Sequence, residues 1–123
     1  MKRESPEFRN PGAALKRVND RYFSGMLRPC IKYGPRIRAR GKPAGIICAR
    51  YEILTKTITV HRVLQDRRVP RWYLDYVVFH ELLHMVYGGP HDEAFQAAEA
   101  KHPDAVRAKR WEQKRLFDIW WST

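Results

Sequence analysis

Cysteine, long apolar runs and acidic residues are all scarce in this chain. Two cysteines, Cys30 and Cys48, with no Cys-x-x-Cys spacing, exclude a disulfide framework and a four-thiolate zinc ribbon. Both read as reduced thiols of the core. No window approaches the roughly 18 consecutive apolar residues that a spanning helix needs, so no membrane partner is expected. The charged opening from Met1 to Asn10 has no apolar stretch behind it, which argues against a signal peptide or anchor and for a cytoplasmic protein. Acids number 13 against 24 Lys and Arg, a formal charge of +11. With 44% hydrophobic residues and four Trp, six Tyr and five Phe, the body of the chain is not disordered, which leaves residues 1–10 as a flexible N-terminus. At 123 residues there is room for one domain of ordinary size.

Asn10 before Pro11 is a helix-start signal, and Leu15, Val18 and Tyr22 recur at helical spacing until Gly25 and Pro29 end the pattern. Short alternating runs then predict a small three-stranded antiparallel sheet, with strands over Ile31 to Arg38, Ala44 to Tyr51 and Lys56 to Val63. In the last of these Ile58 and Val60 point inward, while Thr57, Thr59 and His61 point outward. Pro70 opens a helix to Tyr87 that is apolar on nearly every side and therefore buried, and Gly88-Gly89-Pro90 stops it. A third helix is expected from near His91, with Phe95 and Ala98 on one stripe, and a fourth from Ala105 to Trp121. The expected fold is α+β, with the sheet against the buried helix. Residues 11–104 form the core and 105–123 a basic, Trp-rich helix on the same domain.

Inside the buried helix stands His80-Glu81-Leu82-Leu83-His84. Two imidazoles four residues apart share one helical face and can bind one metal ion. Glu81, one position on, can lie beside the ion's open position, take a proton from the attacking water and hand it to a leaving group. This is the helix motif of zinc metalloproteases. His and Glu are costly in the middle of an apolar helix unless something pairs with them, and a cation would. A catalytic zinc takes a third protein ligand. His91 is the choice, because a glycine pair lets the chain fold back; Glu99 and His102 are its rivals. One Zn2+ per chain is expected, with Glu81 as base and His80, His84 and His91 as ligands. Tyr33, Tyr51 and Tyr87 are candidates to stabilise an oxyanion, and the residues alone do not choose among them.

The stretch Asn19-Asp-Arg-Tyr22-Phe23 with Leu27, followed by the strand region, His80-Glu81-x-x-His84 and His91-x-x-x-Phe95, resembles the SprT-like metalloprotease domain shared by bacterial SprT and eukaryotic Spartan. The likeness covers about residues 13 to 100. It implies a zincin-like fold, zinc on His80, His84 and His91, Glu81 as catalytic base, and proteolysis that extends to DNA-associated proteins. The cysteine zinc-binding subdomain that follows the protease core in SprT and Spartan has no counterpart here. A metzincin is disfavoured, since Gly three and His six residues after the second ligand are lacking and no Met follows His91.

From Arg28 to Tyr51 seven basic residues stand with no acid. If Arg36 to Arg40 are extended, Arg36, Arg38 and Arg40 share one face, joined by Lys42, and guanidinium rows of this kind suit phosphates. Single-stranded DNA is the partner this suggests beside a protein or peptide substrate, and it would place the protein at the nucleoid. In the tail, Trp111, Trp120 and Trp121 interleave with cations and either stack bases or anchor a terminal helix. Two other function classes remain: a metal-dependent endoribonuclease using three histidines, and a non-catalytic nucleic-acid-binding module. Oligomeric state is not legible.

Overall fold

The computed structural model describes residues 10–34, 48–116 and 118–119. Asn10 adopts extended backbone and its side chain accepts from the Ala13 N–H, capping α1, Pro11–Tyr22. The end of α1 is held by Asn19. Its amide donates to the Leu27 carbonyl (2.8 Å) and accepts from the Leu27 N–H (3.2 Å), clamping the reversal at Ser24-Gly25. That reversal delivers Tyr22 and Phe23 onto Phe79, with ring centroids 5.1 and 5.7 Å away. The Asn-x-x-Tyr-Phe element thus docks the first helix on the second. A two-point ion pair, Arg17 to Asp75, fastens the same contact from its outer side.

The sheet comprises β1, Cys30–Tyr33, β2, Ala49–Glu52, and β3, Thr57–Val60, in the order β1-β3-β2. It is mixed and not wholly antiparallel: β2 and β3 form a hairpin, whereas β1 runs parallel to β3. The hairpin direction follows from the tight turn after Glu52, where Lys56 takes a left-handed φ of 50°. β1 arrives from α1 beside the start of β3, the Cys30 N–H bonding Lys56 O, and leaves where the Gly34 N–H bonds Val60 O. Period-two alternation is the same for either direction, so it does not reveal the parallel pair. A Cβ at Gly34 would sit 2.5 Å from Thr59 Cγ2, so any other residue there makes the Thr59 side chain shift. The strands are shorter than the alternation suggests within the described residues, and the expected stretches Pro35 to Arg38 and Ala44 to Ile47 lie outside them. Ile58 and Val60 are fully buried, as their alternation requires.

His61 does not face outward from the third strand. It is buried, its N–H bonds Cys48 O at 2.7 Å, and its Nδ1 accepts from the Val63 N–H to cap a short 3-10 turn, Arg62–Gln65. Cys30 is exposed and is no core thiol; Cys48 is half-buried, and neither forms a disulfide. The long helix α2, Arg71–Tyr87, begins after Pro70 and buries Tyr73, Leu74, Tyr76 to Phe79 and Glu81 to Leu83. Its last turn is open, with Val86 and Tyr87 exposed. α3, Glu93–Ala100, starts two residues later than His91, because Asp92 is its cap, accepting from the Phe95 N–H at 3.0 Å.

The expected fourth helix is α4, Ala105–Trp111, which widens into a π-helical stretch, Glu112–Leu116. Ala108, Leu116 and Ile119 belong to the same core as α2, and the Trp111 ring lies 4.5 Å from Tyr73. Trp111 is therefore an anchor; Trp120 and Trp121 lie outside the described residues. The described residues form a small α+β domain with four α-helices and a three-stranded mixed sheet. No helix among them is long and apolar enough to cross a membrane.

Candidate metal centre

His80 and His84 project from one face of α2, where i and i+4 side chains stack. Gly88, at φ 88°, ends the helix by turning the chain out of its path, and Gly89-Pro90 brings His91 back over that face. His91 stops short of α3, and its carbonyl accepts from Gln96 Nε2 at 2.8 Å, which fixes the loop. His84 Nε2 and His91 Nε2 come to 3.1 Å, and one nitrogen from each of His80, His84 and His91 lies within 4.8 Å of the others. Two nitrogens on a tetrahedral ion are about 3.3 Å apart for bonds of 2.0–2.1 Å, so the three rings suit one ion. Phe95, fully buried on α3, lies under all three rings, with centroids 4.7–5.1 Å away.

The outer nitrogens are held as well. His84 Nδ1 donates to the Gly88 carbonyl at 3.0 Å, so the residue that ends the helix also aims the second imidazole. His80 Nδ1 bonds the Glu99 carboxylate of α3. Glu99 is thus a partner of His80 and no part of the three-nitrogen group, the arrangement by which ligand imidazoles are oriented in metal sites. Burial works against a charged His80, but Glu99 outweighs it and raises the imidazole above its ordinary range. Glu99, which burial alone would raise, is held low by His80. His84 is lowered, chiefly by burial. The other rival, His102, is sequestered among the rings of Tyr22, Tyr76 and Phe79, its Nδ1 accepting from the Asp104 N–H.

Glu81 is buried, 4% exposed, beside this group. Its Oε2 has no hydrogen-bond partner among the described residues. Burial pushes its carboxyl up to about 7, against the opposing pull of His80. An unpartnered buried carboxylate oxygen is costly and marks a place for a polar group delivered from solvent. Three neutral nitrogen donors suit a divalent transition metal, and the carboxylate beside them suits a water next to it. The residues present therefore fit a metal ion.

A cleft runs past the centre between α2 and β2. One part, about 290 Å³, is walled by Cys48, Tyr73, Tyr76, Val77 and Glu112; the other, about 280 Å³, by Arg50, Tyr51, Ile53, His84 and Gly89. Ala49, His80, Glu81 and His91 line both. Among the described residues the edge strand here is β2. β3 is central and its backbone is paired on both sides. Of the three candidate tyrosines only Tyr51 lines the cleft; Tyr33 lies on β1 at the opposite edge, and Tyr87 is exposed at the end of α2. Arg36, Arg38, Arg40 and Lys42 lie outside the described residues.

Glu99, Glu112 and Cys48 carry no local signature. Each reaches the site by tertiary packing from an element distant in sequence. The fold and site define a small α+β domain with three histidines close enough to bind one metal ion. No protein-family model matches the chain, and no curated protein matches it.

Proposed function

We propose that the chain is a zinc metallopeptidase of the SprT-like kind, with a zincin-like core, cutting protein substrates that include DNA-associated ones. The observation that carries this reading is Glu81: a buried carboxylate with an unpartnered oxygen, beside three converging imidazole nitrogens on the floor of an open cleft. A zinc ion would be held by His80, His84 and His91 and would supply Lewis acidity at a scissile carbonyl. Glu81 takes a proton at Oε2 from the attacking water and delivers it to the departing amide nitrogen as the C–N bond breaks. A carboxyl lifted to about 7 by burial accepts and returns a proton near neutral pH. Glu99 and the Gly88 carbonyl keep His80 and His84 aimed. The β2 edge beside the cleft offers backbone groups to an extended peptide, which would lie across Glu81 as an added strand.

The endoribonuclease reading shares the three histidines but gives no role to a buried glutamate beside them. Zinc-loaded wild type and Glu81→Gln, incubated with an unfolded protein and a structured RNA, with and without single-stranded DNA, test the proposal. Protein fragments from wild type, reduced about 10²- to 10⁴-fold in the variant with zinc retained, support it. RNA fragments beside intact protein overturn it.

A further inference from the structure

The two parts of the cleft differ in charge. The part beyond Tyr51 carries Arg50 at its wall. In the part beside Glu112, apart from the metal-site residues, Glu112 is the one charged side chain among the described lining residues. That is unusual ground in a chain of net charge +11. Glu112 stands at the first position of the π-helical stretch that interrupts the last helix, and such interruptions re-aim side chains toward functional sites. The Tyr73 hydroxyl donates to Glu112 Oε1 at 2.6 Å, and Tyr73 is itself fully buried, clasped by Trp111 and Trp72. The carboxylate is thereby held in place, while a carboxylate accepts several hydrogen bonds and retains capacity for another donor.

The remaining walls suit the aliphatic stem of a long side chain. Cys48 lies 3.4 Å from the Tyr73 hydroxyl, and burial, reinforced by the Glu112 charge, pushes its thiol up to about 12. It is an uncharged wall at neutral pH. Tyr76 and Val77, both buried, complete a half-aromatic sleeve between Glu112 and Glu81. Amphipathic cations bury their stems against such surfaces and place the charged head on an acid or over a ring.

We propose that this part of the cleft is the pocket for a cationic side chain, Lys or Arg, of the peptide substrate, held on Glu112 next to the bond that is cut. The proposal rests on the peptidase reading above and adds a specificity to it. Glu112 is a recognition residue and takes no part in proton transfer.

The test uses three ten-residue peptides identical except for a central Lys, norleucine or Glu. Binding is measured by fluorescence anisotropy on zinc-loaded Glu81→Gln protein, and cleavage on wild type. The Lys peptide should bind about tenfold or more tightly than the norleucine peptide, as a charge-assisted hydrogen bond requires, and the Glu peptide most weakly. Adding Glu112→Gln, whose amide oxygen still accepts from Tyr73, should bring Lys and norleucine to within about twofold. Equal binding of Lys and norleucine peptides by protein with Glu112 intact overturns the pocket, as does a Lys preference that survives Glu112→Gln. The peptide comparison needs no altered Glu112 and is immune to a folding defect in that variant. If wild type cuts all three peptides equally, the pocket falls and the peptidase reading stands. If wild type cuts none while the Glu112-dependent preference persists in binding, the peptidase reading falls and the cation pocket stands.

Discussion

Glu99 bonds the outer nitrogen of His80 and thereby decides which lone pair that ring offers at the centre. Removing it by Glu99→Ala should weaken zinc affinity about 10- to 100-fold, with Glu99→Gln intermediate, in a competition titration against a chromophoric chelator. Glu81 permits a prediction of opposite sign for stability. Its folded carboxyl titrates near 7 because burial disfavours the charge, whereas the unfolded one titrates in the ordinary range near 4.5. A raised acid helps the fold while it is protonated, and that help is lost as pH rises from the unfolded value through the folded one. In chelator-treated protein, Glu81→Gln should therefore raise the melting temperature at pH 8 and change it little at pH 5, the difference amounting to at most about 3 kcal/mol. A wild type equally stable at both pH values relative to the variant would show that Glu81 is not buried as an acid. Much of this was legible locally: His80, Glu81 and His84 stand at fixed helical offsets, and His91 follows a glycine pair. Glu99 was legible only as a candidate ligand, since nothing in its own neighbourhood says that it meets His80.

At the scale of elements, α2 ends where Gly88 takes a φ of 88°, and the same residue supplies the carbonyl that aims His84. A Cβ there meets nothing closer than Pro90 Cδ at 4.0 Å, so strain in Gly88→Ala comes from backbone conformation and not from a clash. The expected cost is about 1–2 kcal/mol in denaturant unfolding, with weaker zinc binding as the His91 loop shifts. Phe95 carries the other element contact, α3 under the three imidazoles. Phe95→Ala should cost about 3–5 kcal/mol by chemical denaturation and loosen the metal site with it. Helix ends read well from sequence, because caps such as Asn10 and stops such as Gly88 act within one turn. The sheet read poorly. Alternation marked Ile58 and Val60 as inward but said nothing of β3 being central or β1 parallel, since neither direction nor neighbour changes the period.

The whole molecule carries a charge of +11, and the acid-free run from Arg28 to Tyr51 concentrates part of it. If that run binds nucleic acid, the fourfold variant Arg36→Ala, Arg38→Ala, Arg40→Ala and Lys42→Ala should lower affinity for single-stranded DNA. It should also flatten the log–log salt slope by up to about 0.7 for each phosphate no longer neutralised, without moving the melting temperature. An unchanged slope would leave the charge as a solubility feature. The same overall field makes the acidic part of the cleft at Glu112 distinctive, a local inversion that composition conceals. Composition, helix positions and the histidine triplet with Glu81 beside it were determined by the sequence itself, because they depend on residues within a few positions of one another. The sheet order, the pairing of His80 with Glu99, the bond from the His61 N–H to the Cys48 carbonyl and the arrival of Glu112 in the cleft were decided by the tertiary structure. Each joins residues whose separation along the chain leaves no periodic trace, and each exists only because burial of one shared core brings distant segments to the same few ångströms.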